Sequence, residues 1–390
     1  MCILYLNYIP NCVKKQIPEE EFIYNLFLYT YMVKTLAIET SCDDTSVGIV
    51  NFDGHIFTVD ALLAYSQIDD HQKYGGVVPE LASRLHFDKI IEVIKNIGFD
   101  KIHDVDFISV TVHPGLPGSL VVGKAVASLL ASYFVKPLVH VNHIYGHLFS
   151  LLLERNVSDI QFPLVVLTAS WWHNDIYVVS NLEFKIQNPL TIQRTSSEWI
   201  ERIEFGWYKI AKVGYTLDDA AGECFDKVAR MLGGPYPWWQ RISEKALQWK
   251  PNSNLEFKRI FLSKDGFEFS FSWMKSQVSF LLKQLTEDWT LKIEYWKLEI
   301  PEELICDIAY EFQEAVVEVM IKKLVRAGIA FDSKTLWLAG GVSCNDRLRE
   351  YLQRYAKEKM PDAVVLRPMK KVYSMDNAAM IWLAWILDYL

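Results

Sequence analysis

The sequence predicts an α/β fold built from two similar lobes. Three observations lead to this prediction: short apolar runs typical of strands alternate with helical patterns, glycine turns separate them, and the same rhythm returns in the second half of the chain. With 390 residues, 51% of them hydrophobic, the chain can bury a core large enough for both lobes. We expect an N-terminal lobe of residues 32–150 with about 370–390, and a C-terminal lobe of residues 151–369.

The first half opens with three strands and then alternates helices with strands. Residues 34–60 fit a hairpin meander whose first bend is the polar segment 43–46, "DDTS". Apolar spacing and glycine or proline content predict the elements that follow: a helix at 78–98, a strand at 106–112, a loop at 113–123, a small-residue helix at 124–134 and a strand at 137–141.

The second half repeats this order. Apolar strands at 163–168 and 176–180 flank the adjacent pair Trp171 and Trp172, a place where a strand turns over and glycine is usual. Residues 216–232 start with Asp and end with Lys and Arg, the charge order that a helix dipole favours. Four more elements are expected: a helical region at 301–327, a strand at 335–342, and helices at 345–356 and 376–389.

The net charge and the cysteine spacing bear on nucleic-acid binding and on the cellular compartment. The net charge of -8 gives no overall basic surplus for nucleic acid, so any RNA contact needs a local patch or a partner subunit. The six cysteines are scattered without CxxC or framework spacing, which is typical of free thiols in a reducing compartment. We therefore expect a cytoplasmic protein.

The N-terminal segment is expected to lie outside the folded unit. Residues 1–31 carry too little basic charge and too many interruptions for a signal peptide or a membrane span, and "EEE" argues against a transit peptide. "MVKTLAIETSC" from Met32 reads like a natural start that runs into a strand, so 1–31 is a wrongly chosen start or a dispensable extension. No other segment looks long and apolar enough to span a bilayer.

His143 and His147 form an HxxxH pair at the start of a predicted helix, so both imidazoles project from one face about a turn apart. That spacing suits a shared metal ion, although two histidines that only cap or pack a helix give the same pattern. Ile144 stands where the HExxH motif of zinc peptidases has its general-base glutamate. Peptide hydrolysis by that mechanism is therefore disfavoured.

Two glycine-rich turns are candidate ligand loops. "AGGVSCN" at 339–345 closes a buried strand before a helix whose expected cap is Asn345, and "HPGLPGS" at 113–119 follows another strand. Backbone of this kind lets phosphate or ribose oxygens approach the amide N–H groups. Each motif is equally compatible with an ordinary tight turn.

Acidic residues at two helix starts have two interpretations each. Asp218, Asp219, Glu223 and Asp226 form either a solvated first turn or a site in which Asp226 accepts hydrogen bonds from a ligand hydroxyl or amine. Asp376 either caps the last helix together with the next residue, an asparagine, or adds an oxygen ligand to the two histidines, giving an N2O site with open positions.

Taken together, seven stretches resemble one family, TsaD, which completes threonylcarbamoyladenosine on tRNA and was formerly labelled a glycoprotease. In chain order they are "IETSCDDTSV", "GGVVPELASRLH", "HPGLPGSLVVG", "VNHIYGH", "TLDDAAGECFDKVARMLGGPYP", "AGGVSCNDRLR" and "DNAAMI". The resemblance spans about 32–390, and the second stretch with "TLDDAAGE" is similar to the bacterial or organellar branch.

This resemblance implies an actin/Hsp70/sugar-kinase-like fold with a cleft between lobes. It implies transfer of the threonylcarbamoyl group from threonylcarbamoyl-AMP to N6 of adenosine 37 in tRNAs that read ANN codons. It also implies one divalent metal ion per subunit, iron or zinc, at His143, His147 and Asp376. By position the implied substrate contacts are Thr168, Ala169, Ser170, Trp171, Trp172, Asp226, Trp239 and Asn345. No residue is implied as the catalytic base.

The implied partners are tRNA, a TsaB-like paralogue that dimerises with TsaD, and a small TsaE-like ATPase; no membrane is implied. The partner proteins could supply the tRNA-binding charge that this acidic chain lacks.

The sequence departs from the family pattern in one systematic way, because tryptophan repeatedly stands where the family has glycine. The positions are Trp171, Trp172, Trp238, Trp239, Trp273, Trp382 and Trp385. One hypothesis is a lineage that reads UGA as glycine, translated with a table that reads UGA as tryptophan. The 18 glycines and 13 tryptophans together are about 8% of the chain, near the usual glycine share of ~7%. The rival hypothesis is a diverged protein with aromatic-filled pockets.

Two other functions remain as alternatives. The metalloprotease hypothesis depends only on the HxxxH pair, and the chain lacks the glutamate of the HExxH motif. A catalytically silent paralogue would have no need to keep His143, His147, Asp376 and Asn345 together, yet the chain has all four.

Overall fold

The computed structural model describes most of the chain from Met32 onward. The described residues are 32–171, 173–181, 202–205, 208–234, 238–250, 255–263, 265–287, 292–294 and 297–389. The proposed extension 1–31 and Trp172 lie outside these ranges.

The first sheet has five strands in the order β3-β2-β1-β4-β5. The predicted meander is confirmed as β1 (Val33–Glu39), β2 (Asp44–Phe52) and β3 (Phe57–Ser66), paired antiparallel. Strands β4 (Phe107–His113) and β5 (Leu138–Asn142) continue the sheet in parallel with β1. Helices α1 (Ile68–Gln72), α2 (Pro79–Ile97), α3 (Phe99–His103) and α4 (Pro117–Phe134) belong to this part of the chain.

The predicted loop at 113–123 is too long, because α4 already begins at Pro117, a residue well suited to the first helical turn. Gly118 and Gly123 allow α4 to pack closely against its neighbours and do not form a turn. A Cβ on Gly123 would lie 2.3 Å from Thr40 Oγ1, and one on Gly118 would lie 2.2 Å from Ser83 Oγ. The glycine content that suggested a loop therefore reflects helix contacts with β1 and α2.

Helix α4 is the one helix among the described residues that is long and apolar enough, by length and composition alone, to cross a membrane, with a mean hydropathy of 1.2. No such segment was expected from the sequence. Leu120, Ala127 and Leu130 of α4 are buried, and the helix packs on β4 and α2. Core helices of soluble proteins pass the same test.

The second sheet has six strands in the order β13-β12-β6-β7-β9-β8. The predicted strands are confirmed as β6 (Leu164–Ala169), β7 (Asn174–Asn181) and β12 (Thr335–Ala339), with β6 and β12 parallel. The others are β8 (Arg202–Phe205), β9 (Tyr208–Gly214) and β13 (Val364–Val365), and a separate hairpin comprises β10 (Lys292–Glu294) and β11 (Lys297–Glu299).

The described residues from His143 onward contain seven more α-helices. They are α5 (His143–Phe149), α6 (Ala221–Met231), α7 (Trp238–Leu247), α8 (Ser272–Glu287), α9 (Glu302–Ala330), α10 (Asp346–Lys359) and α11 (Ala378–Tyr389). Helix α11, at the end of the chain, packs on β1, β2 and β5 of the first sheet. One buried apolar cluster joins both sheets, with Phe57 and Trp382 on one side and Val166 and Trp337 on the other.

The predicted helix 216–232 starts later than expected, at Ala221, so Asp218 and Asp219 do not belong to its first turn. Asp218 instead accepts hydrogen bonds from the backbone N–H groups of Phe271 (2.8 Å) and Ser272 (3.1 Å) at the start of α8. Asp219 accepts from the ammonium groups of Lys227 and Lys275. The interpretation of these two aspartates as a solvated helix start was wrong, because they tie α8 to the segment before α6.

Candidate metal centre and substrate cleft

Three side chains meet beside the carboxyl ends of β1, β4 and β5. Helix α5 begins at His143 because the Asn142 side chain caps it, accepting from Ile144 N at 2.8 Å. His143 and His147 therefore share one face, their ring centroids 4.7 Å apart. Asp376, just before α11, places Oδ1 3.0 Å from His147 Nε2 and 3.6 Å from His143 Nε2.

The ligand atoms of His143, His147 and Asp376 all lie within 4.8 Å of one another. Both histidines are buried, with relative exposures of 7% and 1%, whereas Asp376 is partly open to the cleft. The sequence offered two interpretations of Asp376, helix cap or partner of the histidines. The cap of α11 is Asn377, whose Oδ1 accepts from Met380 N at 3.2 Å, while Asp376 contacts the histidines.

Glu39, at the end of β1, adds a second carboxylate behind His143. Burial disfavours charge on each of these groups, but the carboxylates of Glu39 and Asp376 outweigh it and raise the pKa of His143 to about 9. In turn, the charge of His143 overcomes the effect of burial and holds the pKa values of Glu39 and Asp376 below their usual ranges. The two carboxylates therefore stabilise positive charge at this buried centre.

This donor set fits a divalent transition metal. Two imidazole nitrogens and one carboxylate oxygen are ligands that iron and zinc both accept, and they leave coordination positions open toward the cleft. Two carboxylates beside two neutral imidazoles would balance a charge of +2 in a place from which water is largely excluded.

The loop after β6 lies next to this trio. Ser170 closes it through two hydrogen bonds: its N–H donates to His173 O at 2.8 Å, and its Oγ accepts from His173 N at 3.0 Å. Thr168 and Ala169 are buried in β6, and Ser170 is the first residue that reaches the cleft. A Cβ on Gly340, where φ is +85°, would lie 2.5 Å from Ala169 O, so the turn after β12 must be glycine here.

A cavity of about 470 Å³ joins the trio to this loop, and we call it the metal-side cavity. Its wall includes His143, Asp376, Ser170, Trp171 and Gly341. A second cavity of about 480 Å³, the Asp226-side cavity, is lined by residues 74–78 together with Glu223, Asp226 and Arg230. Residues 42–44 and Trp171 line both.

Trp171 projects between the two cavities. Its indole N–H donates to Asp226 Oδ2, and Asp226, buried on α6, is thereby occupied by a side chain of the loop. The backbone around Trp171 also lies very close to α6, because a Cβ on Gly222 would be 2.7 Å from Trp171 Cα. Where the family pattern has glycine, this chain thus fills the space in front of the carboxylate.

One predicted substrate contact, Asn345, lies apart from these cavities. Asn345 caps α10 as predicted, accepting from Leu348 N at 3.2 Å, and its amide donates to Gln313 Oε1 at 2.9 Å and Ser243 Oγ at 3.1 Å. It lines neither cavity. Trp239 lies in the first turn of α7, and its side chain falls outside the described part of the chain, as does the whole of Trp172.

Sequence reasoning missed the acidic bend between β1 and β2. Asp43 and Asp44 line both cavities. Burial, reinforced by Asp43, raises the pKa of Asp44 to about 7. The signal was present as two consecutive carboxylates shortly after a buried strand, but they were assigned only to a turn.

Comparison with known proteins identifies the family of this chain. A sequence profile of TsaD, tRNA N6-adenosine threonylcarbamoyltransferase, matches residues 59–194 and 202–383. The curated relative of that name in Mesoplasma florum is 37% identical over 353 residues, covering 90% of this chain and 96% of the relative. One in Bdellovibrio bacteriovorus is 38% identical over 356 residues, covering 89% and 90%. The chain belongs to the TsaD family.

As a TsaD enzyme, the chain is an acyltransferase that acts in tRNA threonylcarbamoyladenosine modification. Its fold also resembles that of HypF from T. kodakarensis, with a TM-score of 0.53 at 14% identity over 93% of this chain. The chain spans about half of HypF (48%), and the likeness concerns the fold alone. The expected two-lobed α/β fold is confirmed, and its actin/Hsp70/sugar-kinase type stays a prediction.

The tryptophans at positions where the resemblance to TsaD leads us to expect glycine have different surroundings. Trp273 is exposed at the start of α8, whereas Trp382 is fully buried, 5.1 Å from the Phe57 ring in an edge-on contact. The indole N–H of Trp382 has no hydrogen-bond partner in the described part of the protein. Of the positions whose side chains are described, only Trp171 lies in the cleft.

Proposed function

We propose that this TsaD enzyme transfers the threonylcarbamoyl group from threonylcarbamoyl-AMP to N6 of adenosine 37 in tRNAs that read ANN codons. One divalent metal ion per chain, iron or zinc, is held by His143, His147 and Asp376. The observation that carries the proposal is the position of this trio, of which His143 and Asp376 line the same cavity as the loop after β6 and Gly341.

The reaction is acyl transfer from a mixed anhydride. The N6 amine attacks the carbonyl carbon of the carbamoyl group, a C–N bond forms, the bond to the phosphate oxygen breaks, AMP leaves and N6 loses a proton. When bound, the cation would supply positive charge near the carbonyl and phosphate oxygens, where negative charge develops.

The chain's own residues position the adenylate. The proposed phosphate contacts are the backbone at 170–172 and at Gly340–Gly341, of which Ser170, Trp171 and Gly341 line the metal-side cavity. The carboxylate of Asp226, in the wall of the Asp226-side cavity, would accept hydrogen bonds from a hydroxyl of the ligand. Asn345, Thr168, Ala169 and the backbone at 239 complete the proposed contacts, with Asn345 acting through its hold on Gln313 and Ser243.

Complementation tests the proposed function. A gene with glycine at positions 171, 172, 238, 239, 273, 382 and 385 should restore threonylcarbamoyladenosine in a strain that lacks it, measured by mass spectrometry of digested tRNA. The same gene with His143→Ala should not. If the glycine-restored protein accumulates in soluble form and the modified nucleoside stays absent, the proposed function is wrong.

We further propose that a TsaB-like paralogue binds the N-terminal lobe, residues 32–150 with about 370–390, and that a TsaE-like ATPase joins the complex. The support is an apolar face on two packed helices. On α2, Phe87 and Ile91 are exposed one turn apart, and on α4 Leu129 and Tyr133 are exposed in the same way. Exposed apolar side chains on two helices that pack together are typical of a surface that another protein covers.

A charge placed on this face should prevent the association. Leu129→Glu with Tyr133→Glu is expected to weaken heterodimer formation by more than about 100-fold, because burying two carboxylates costs several kcal/mol. Analytical ultracentrifugation with the paralogue measures it. Phe280→Glu, at an equally exposed site on α8, is the matched control and should leave the dimer intact. Equal binding by both variants would place the interface elsewhere.

A further inference from the structure

We infer that Glu39 is the positioning residue of the metal centre: it fixes His143 in the tautomer that turns the Nε2 lone pair toward the metal. The inference rests on the proposed metal site and adds to it a residue that is itself no ligand. Glu39 is completely buried at the end of β1, behind His143 as seen from the cleft.

The Glu39 carboxylate only accepts hydrogen bonds. Oε1 accepts from the backbone N–H of Ser41, and Oε2 accepts from the hydroxyl of Thr111 and stands 3.1 Å from His143 Nδ1. An ionised carboxylate has no hydrogen to give. The hydrogen between Oε2 and Nδ1 therefore belongs to the imidazole. When the ring gives up its second hydrogen to bind a metal, it is Nε2 that carries the lone pair.

The direction of that lone pair matches the site. His143 Nε2 lies 3.6 Å from Asp376 Oδ1, so the nitrogen that carries the lone pair of the neutral ring lies among the ligand atoms. The hydroxyl of Ser41 also lies 3.2 Å from His143 Nδ1, but a hydroxyl both donates and accepts and cannot select the tautomer. Of these two contacts, only the one with Glu39 determines the tautomer of His143.

The sheet explains why Glu39 holds this position. Strands β1 and β4 run parallel, and β5 follows β4, so their carboxyl ends bring Glu39, Thr111 and the start of α5 together. Thr111 and Ser41 hold the carboxylate from two sides, which keeps it aimed at the ring. Carboxylates that orient metal-binding histidines in this way typically raise metal affinity by about 10–100-fold.

Glu39→Gln reverses the direction of the hydrogen bond to His143 Nδ1 and keeps the shape of the side chain. Ser41 N–H keeps the amide oxygen on its side, so the NH2 group faces His143 and donates to Nδ1. The ring must then carry its hydrogen on Nε2, where it blocks the metal. We expect the dissociation constant for Zn²⁺, measured by competition with a chelator, to rise by about 10–100-fold, and the visible spectrum of the Co²⁺-loaded protein to change, at an unchanged melting temperature.

Thr111→Val gives a second test should Glu39→Gln fold poorly, because it removes one donor to Glu39 and leaves the carboxylate in place. We expect a smaller, severalfold loss of Zn²⁺ affinity. Folded variants that bind Zn²⁺ like the wild-type protein, with the same Co²⁺ spectrum, would overturn the role of Glu39. A wild-type protein that binds neither ion would instead overturn the metal centre itself, so the two failures are distinct.

Discussion

His143→Ala will lose its metal and its activity together. The wild-type protein should contain one metal ion per chain, and the variant less than a tenth of that, because a single imidazole and a carboxylate remain of a three-ligand set. We expect the rate of threonylcarbamoyl transfer to fall on the order of 10³-fold, since a cation at developing negative charge is worth several kcal/mol. Elemental analysis of the purified protein and a single-turnover assay measure the two quantities.

His140→Ala is the matched control for this experiment. His140 lies on β5 three residues before His143, but it is exposed and belongs to neither cavity. The control should keep both metal and activity. Unchanged metal content in His143→Ala would refute the ligand assignment, whatever happens to the rate.

Glycine at positions 171 and 172 should restore binding of the adenylate. The indole of Trp171 occupies the space between the two cavities and takes up a carboxylate oxygen of Asp226. Without it, Asp226 is available to a ligand and the backbone N–H groups become accessible to phosphate. We expect affinity for a stable threonylcarbamoyl-AMP analogue to rise by more than about 100-fold, or about 2.7 kcal/mol, by calorimetry.

Trp249→Gly is the control, since Trp249 stacks on Tyr310 at 3.8 Å and lines neither cavity. It should not improve binding. Equal affinity of the tryptophan and glycine forms would mean that the aromatic loop is compatible with the substrate. The codons are an independent measurement: UGA at 171, 172, 238 and 239 agrees with recoding, and UGG at those positions contradicts it.

Local patterns were sufficient for much of the fold and part of the site. The meander of β1 to β3, the i, i+4 pair His143 and His147, and the cap Asn345 all depend on neighbours within a few residues, where period and capping chemistry are readable. Errors arose where glycine or aspartate had long-range partners, as Gly123 has in Thr40 and Asp218 has in the start of α8.

What the sequence by itself determined was the α/β alternation, the histidine pair and, through its motifs, the resemblance to TsaD. Only the tertiary structure decided that Asp376 joins His147 across 229 residues, that Glu39 stands behind His143, and that Trp171 reaches Asp226. The physical reason is that periodicity and capping act over one or two turns. Contacts between strand ends and distant helices depend instead on how the whole sheet is ordered.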